Sequence, residues 1–455
     1  MSIFQLTFLG ANATVTGSRH LVETSRSRVL IDCGLFQGYK PLRLRNWAPF
    51  PVAPDSIDAL VLTHAHLDHS GYLPRLVREG FRGPIWCTSA TRSLCRILLA
   101  DSARLLGEEA EYANRKGTSK HHPAEPLYSE ADALAALKRF REVGYDEYFE
   151  PVPGVRARLR SQGHILGAAA VTVESEDRRV VFSGDIGRFG DPLMHPPSSP
   201  DEADWIVVES TYGNRHHPAV DAASELAHAL RPVLQRGGVA LVPAFAVGRA
   251  QLLLHLIVQL QLERKLPTTP IYLNSPMATN VTALYSGHPR EHRLTAAQLD
   301  ALAHNTRIIN SVEESKALNL RKGPMIIVSA SGMLTGGRVL HHLVAFASDP
   351  RNAILLSGFQ AGGTRGARLA AGERTVRIFG QDVPVNAEVI QLESASAHAD
   401  ADELIQWLRS APRRPESVFI THGEPDAAEA LRLRVERDLH WRAHVPEYRD
   451  TIDLT

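Results

Sequence analysis

Residues 62–71 read LTHAHLDHSG and set four side chains of metal-ligand type, His64, His66, Asp68 and His69, within six positions. Imidazole nitrogens accompanied by few carboxylates are a donor set that suits zinc. The spacing is too short for all four side chains to reach one tetrahedral ion. It lets His64 and His66 face one ion while Asp68 and His69 face a second, so two metals are implied, each needing further ligands from elsewhere in the chain. A total of 21 histidines in 455 residues directs attention to the same chemistry.

The quartet follows an apolar run, 59–64, that reads as a buried strand opening into a turn. Up to about Glu209 short strands predominate, at 28–32, 59–64, 85–89, 168–174 and 179–185, interrupted by helical patterns at 91–106 and 130–141 whose sidedness fits packing on sheet faces. After about Ser210 the rhythm changes. Apolar runs at 239–245, 271–274, 325–329 and 353–357 alternate with helices near 249–264 and 338–346, the pattern of a parallel sheet covered on both faces. From about Asn386 short-strand character resumes. The expected class is α/β, with a first domain over 1–209, an inserted domain over 210–385 and a return to the first domain over 386–455.

Composition narrows the functions available. Hydrophobic residues are 44% and charged residues 22% of the chain, values of ordinary globular domains that exclude disordered and fibrous architectures. No apolar run approaches the roughly 20 residues of a membrane span. Phe4, Leu6 and Phe8 alternate with polar residues as a strand does, not as a signal peptide does. Cys33, Cys87 and Cys95 form no C-x-x-C pair and are expected as reduced thiols of a cytoplasmic protein. Lys plus Arg equals Asp plus Glu at 50 each, so a polyanionic substrate must be held by local patches rather than by net charge.

Taken with these features, the histidine loop resembles the second motif of the metallo-β-lactamase superfamily, and within it the β-CASP nucleases that process RNA, bacterial and archaeal relatives of the pre-mRNA 3′-end cleavage endonuclease. Further motifs carry the resemblance over nearly the whole chain. Asp32 in VLIDCG matches the first motif, an aspartate that orients the metal-binding loop. His164 in GHILGAA matches the third and Asp185 in FSGDIGR the fourth, while Glu209 in VVEST, His398 in ASAHAD and His422 in THGE match the three later motifs of the β-CASP group. The phrases VPAFAVGRAQ at 242–251 and SASGMLTGGR at 329–338 also match. Ala395 departs from the pattern where relatives often carry Phe, a change of packing.

The resemblance implies an αββα sandwich with an inserted parallel α/β β-CASP domain. It assigns His64, His66 and His164 to one zinc, Asp68, His69 and His422 to the other, and Asp185 to a bridge, with Asp68 counted among the catalytic residues too. The implied activity is a two-zinc ribonuclease cutting single-stranded RNA as an endonuclease, with 5′-3′ exonuclease action as an added capacity, and leaving 5′-phosphate and 3′-hydroxyl ends. Two ions about 3.5 to 4 Å apart can share a hydroxide and stabilise an in-line displacement at phosphorus. A ribose 3′ oxygen leaves poorly as an alkoxide, so a general acid is useful. His398 is the candidate, oriented and kept protonated by Glu209.

Phosphate contacts are expected from the inserted domain, at Ser329, Ser331, Gly332, Thr335, Gly336, Gly337 and Arg338, where a strand-to-helix turn offers hydroxyls and backbone N–H groups. The pairs His121 and His122, His216 and His217, and His341 and His342 are expected on the surface or in loops, and His20 is read as structural. Little room at either end for an RNA-binding module implies weak sequence preference. A homodimer through residues 427–439 and a helix covering its own sheet are both open. The competing functions are a metallohydrolase of small esters, lactams or thioesters, and a DNA nuclease of the same superfamily. The large insertion and His398 speak against the first, and a histidine at position 422 against the second.

Overall fold

The computed structural model describes residues 4–358, 360 and 362–454. The chain divides into two compact units, one drawn from residues up to His216 and from His398 onward, the other His217–Ala397.

The first unit is a sandwich of two seven-stranded sheets. One runs in the order Thr451–Asp453, Phe4–Phe8, His20–Thr24, Arg28–Ile31, Ala59–Val61, Ile85–Cys87 and Phe140–Glu142. The other runs Ala443–His444, Ser417–Thr421, Trp205–Glu209, Arg178–Phe182, Ala169–Ser175, Val155–Ser161 and Tyr148–Val152. Alternating side chains of both inner faces meet in one core, with Leu6, Val22, Ile31 and Val61 against Val171, Val180, Phe182, Val207 and Phe419, all buried. Outside the second sheet, Val181, Ile206, Val208 and Ile420 pack against Leu404, Trp407 and Leu408 of the helix Ala401–Arg409 and against Ala428 and Leu431 of Pro425–Arg434. This is the αββα arrangement. Within the segment from Pro425 to Leu439, Ala428, Leu431 and Val435 are buried on its own sheet while Leu433 is exposed.

Parallel pairing decides where the chemistry sits. Ile31 pairs with Val61, Phe182 with Val207, and Glu209 with Thr421, each in a parallel ladder. The carboxyl ends of these strands therefore open at one edge of the sandwich, and Asp32, the 62–71 loop, Asp185 and His422 all follow directly from them. The strands end before the candidate ligands are reached. The ladder containing Ala59 stops at Val61 and that containing Arg178 at Phe182, each three residues short of the sequence-based limits, because Leu62, Thr63, Ser183 and Gly184 bend into loops.

The second unit carries a six-stranded sheet, all parallel, in the order Thr306–Ile308, Ile271–Leu273, Met325–Ser329, Val239–Pro243, Ala353–Ser357 and Glu388–Leu392. Its central strands are buried along their length. The expected return at 386 differs from this organisation, since Glu388–Leu392 pairs with Ala353–Ser357 as an edge strand of the inserted sheet. Its exposed Glu388 and Gln391 and half-buried Val389 and Ile390 set it apart from the fully buried central strands.

No helix among the described residues is long and apolar enough to cross a membrane. The three cysteines are buried free thiols, and burial pushes Cys33 and Cys95 up to about 12, so they remain protonated. Trp407 is fully buried and its indole N–H donates to Ser198 O at 2.9 Å, fastening the helix Ala401–Arg409 to the sandwich. Trp407→Ala is expected to cost about 3 to 5 kcal/mol in chemical denaturation.

Candidate metal centre

Each ligand-type side chain is aimed by the loop that carries it. Asp32 follows its strand with φ at 59°, a left-handed conformation that aspartate tolerates, and turns a buried carboxylate towards the 62–71 loop. Its Oδ1 accepts from Thr63 N at 2.8 Å, and its Oδ2 accepts from Thr63 Oγ1 at 2.8 Å and from His69 Nδ1 at 2.7 Å. Asp32 thus fixes the tautomer of His69 and leaves Nε2 as the donor atom. The loop after Asp32 lies against the histidine loop, with Cys33 N donating to His69 O and Leu35 N to Leu67 O. Gly34 is required there, because a Cβ would fall 1.5 Å from Asp68 O.

Two donor clusters result. In the first, His64 Nε2 and His164 Nε2 lie 3.1 and 3.2 Å from His66 Nδ1, and Asp185 Oδ2 lies 3.4 Å from His64 Nε2 and 3.5 Å from His164 Nε2. In the second, His69 Nε2 is 3.0 Å from His422 Nε2, which is 3.4 Å from Asp68 Oδ2, and Asp185 Oδ1 is 3.2 Å from His69 Nε2. The single Asp185 carboxylate therefore presents one oxygen to each cluster. A tetrahedral zinc site with ligand distances of 2.0 to 2.1 Å has donor-to-donor edges of about 3.3 to 3.4 Å. The observed separations match that edge, and Asp185 Oδ1 is buried without a hydrogen-bond donor. The residues fit bound metal.

The electrostatics agree. Burial, reinforced by neighbouring imidazoles, lowers His64 and His164 and takes His66 down to about 3, keeping their nitrogens as lone-pair donors. Burial alone would raise Asp185, yet the charges of His422, His69 and His64 hold it well below the usual carboxylate range. His69 is pushed well above 6.5 because Asp185 and Asp32 outweigh the effect of burial. The second cluster attracts positive charge.

His398 stands beside the first cluster, its ring 4.5 Å from that of His164 and its Nε2 4.0 Å from Asp185 Oδ2. Ala399 N donates to Ile186 O, tying its backbone to the Asp185 loop. Its Nδ1 meets the Glu209 carboxylate at 3.1 and 3.2 Å. Glu209 is buried and accepts from Ile186 N at 2.6 Å and Thr211 N at 3.3 Å, which stabilises its charge. Burial lowers His398, but the charge and hydrogen bond of Glu209, helped by Asp185 and Asp68, prevail and raise it.

Several supports have no counterpart in the sequence reading. Thr211 Oγ1 lies 3.1 Å from His422 Nδ1 and so orients its ring, and His422 itself sits at φ 52° with its N–H donating to Ala11 O. Arg19 is fully buried, donates twice to Gly34 O, and is surrounded by the rings of Tyr72, Phe36 and Phe50 at 4.1, 4.9 and 5.3 Å. These contacts join residues far apart in the chain.

The loop read as a phosphate cradle lies in the second unit and is partly turned inward. Ser329 is buried and its hydroxyl donates to Asn274 O, while the Arg338 guanidinium is spent on Asn274 Oδ1 and on the carbonyls of Ile309 and Asn310. Gly332 is packed against Phe245. In this structure the Ser329 hydroxyl and the Arg338 guanidinium are engaged within the scaffold, and Gly332 is buried. Ser331 Oγ accepts from Thr335 N, and Thr335 and Gly337 remain on the surface beside half-buried Gly336. His342, expected on the surface, is fully buried. It accepts from Asn274 Nδ2 through Nε2 and donates from Nδ1 to Asn319 Oδ1. His216 is exposed but paired with Asp402 at 3.0 Å.

Comparison with known proteins agrees with the fold. Residues 16–232 match the metallo-beta-lactamase superfamily, 250–369 the Beta-Casp domain, and 382–446 the Zn-dependent metallo-hydrolase RNA specificity domain. Ribonuclease TTHA0252 of Thermus thermophilus is 39% identical over 93% of this chain and 94% of its own length. Transcription termination factor FttA of Methanosarcina mazei is 31% identical over 96% of this chain and 69% of its own. A crystal structure of a protein of unknown function from Enterococcus faecalis shares the fold, with a TM-score of 0.54 at 14% identity over 99% of this chain and 100% of that one. The chain belongs to the β-CASP group of the metallo-β-lactamase superfamily.

Two measurements follow. Asp32→Ala, which frees His69 without removing a donor atom, is expected to weaken zinc binding about 10- to 100-fold in chelator competition. Burial, with the charges of His341 and Arg338, lowers His342 to about 4. The unfolded chain takes up this proton below about pH 6.5 and the native imidazole resists it, so stability falls as pH drops from about 6.5 to 4 and levels off below. Denaturation across that range is expected to show a loss of up to about 3 kcal/mol that His342→Gln flattens.

Proposed function

We propose that this chain is a metal-dependent ribonuclease that hydrolyses phosphodiester bonds of single-stranded RNA with two zinc ions. The observation that carries this reading is the Asp185 carboxylate, one oxygen against each donor cluster, with His398 Nε2 4.0 Å away. His64, His66 and His164 would hold one ion, Asp68, His69 and His422 the other, and Asp185 both. Zinc bound there supplies Lewis acidity, acidifying water and offsetting charge on the phosphate oxygens.

The remaining work belongs to side chains. Glu209 accepts from the N–H groups of Ile186 and Thr211 and grips Nδ1–H of His398. His398 then carries its second proton at Nε2, from which it passes to the departing 3′ oxygen, leaving a 3′-hydroxyl and a 5′-phosphate. RNA is favoured over a small ester or lactam because a relative that shares most of the chain is named a ribonuclease.

The test uses zinc-loaded protein with end-labelled and internally labelled single-stranded RNA, single-stranded DNA, and nitrocefin in parallel. Cleavage of RNA that stops on chelation and returns with zinc is expected. His398→Ala should keep both metals by elemental analysis and lose about 10²- to 10⁴-fold in turnover on RNA. The loss should be far smaller on a p-nitrophenyl phosphodiester, whose leaving group needs no proton. Intact RNA alongside two bound zinc ions per chain would overturn the proposal.

A further inference from the structure

The segment leaving the metal loop ends in an exposed aromatic and basic surface. Tyr39, Leu44 and Trp47 are 56%, 55% and 50% exposed within nine positions, and the helix Lys40–Arg45 between them buries none of its residues. Isolated exposed apolar side chains are ordinary, but three of them clustered on one short segment mark a contact surface. Lys40 and Arg43 are exposed beside them. Neither Lys40, Tyr39 nor Trp47 makes a side-chain hydrogen bond or ion pair among the described residues. The Glu109 carboxylate lies within electrostatic range of Arg43.

The root of this segment is rigid. Asn46 closes it, accepting from Phe36 N at 3.0 Å and donating to Phe36 O at 2.7 Å. The guanidinium groups of Arg19 and Arg45 lie 4.9 and 5.3 Å from the Phe36 ring. Arg45 also lies 4.3 Å from the ring of Tyr448. Leu35 is hydrogen-bonded to Leu67, between the ligands His66 and Asp68, and Tyr39 lies four residues beyond it, within about 14 Å along the chain. The exposed rings are thus displayed by a fixed base joined directly to the metal loop.

We infer that Tyr39 and Trp47, with Lys40 and Arg43, form a stacking platform for single-stranded RNA running out of the metal centre. The inference rests on the ribonuclease reading and names a surface that holds its substrate. Aromatic faces interleaved with exposed cations are the composition that sequence-tolerant single-strand binding uses, with bases on the rings and phosphates on the ammonium and guanidinium groups. Interface cores between proteins are depleted in lysine instead. With no net charge on the chain, local cations of this kind must supply the attraction.

The test measures binding of a labelled single-stranded RNA, too short to fold, to zinc-loaded protein carrying His398→Ala so that the strand stays intact. RNA should quench the fluorescence of Trp47, a signal lost in Trp47→Phe. Tyr39→Ala combined with Trp47→Ala should weaken binding about tenfold or more, with zinc content and melting temperature unchanged, and the corresponding phenylalanine pair should retain affinity. Lys40→Ala with Arg43→Ala should reduce the slope of log K against log salt by about 1.4, as expected for two phosphates of a single strand. Affinity of the double alanine variant within about twofold of its parent, while the wild type still cuts RNA, would remove the platform and spare the ribonuclease reading. A change in oligomeric state with unaltered RNA affinity would make the patch a protein interface and overturn the inference. Wild-type protein that neither binds nor cuts RNA would sink both readings together.

Discussion

Seven donor side chains, most of them buried, converge at one edge of the sandwich with their nitrogens and oxygens pointing at one another. That arrangement is unfavourable for a bare protein, because imidazole lone pairs and carboxylate oxygens taken out of water need a positive partner. Asp185 concentrates the problem. Its carboxylate lies between the two clusters, and one of its oxygens is buried without a donor. The left-handed backbone at Asp32 and at His422, each a cost of about 1 to 2 kcal/mol, belongs to the same constraint, since both residues leave a strand and must turn at once to aim a side chain at the centre.

How legible this was depends on the range of each contact. His64, His66, Asp68 and His69 declare themselves because four ligand types fall in one loop. His164, Asp185 and His422 stand alone in sequence, and only their likeness to family motifs linked them to the loop. Thr211 and the Arg19 cage gave no signal, since Thr211 meets His422 across 211 positions and the rings around Arg19 come from separate segments. The apolar runs identified the central strands well, as Met325–Ser329 and Ala353–Ser357 illustrate. They overran at the site because Leu62 and Thr63 remain buried after the ladder has ended.

The glycine-rich turn at 331–337 illustrates another limit. Composition announces a loop between strand and helix, but not the direction in which a hydroxyl or a guanidinium points. Ser329, Arg338 and His342 converge on Asn274, a buried amide at the end of Ile271–Leu273 whose hydrogen-bonding groups are satisfied by neighbouring elements. A polar network of this kind holds a loop in one conformation at the cost of requiring every partner. His342 must therefore remain neutral, since Nε2 has to accept from Asn274 while Nδ1 donates to Asn319.

The order of the motifs along the chain has a consequence for biosynthesis. His398 and His422 come after the inserted unit, and Ser417–Thr421 completes its ladder against Trp205–Glu209 only when it has been made. A nascent polypeptide emerging from the ribosome presents six of the seven donors for the whole time the insertion is being translated, yet it lacks both the last imidazole and the neighbour of Glu209. Stalled or truncated products are consequently left with an incomplete centre. Assembly is gated by the residues that follow the insertion.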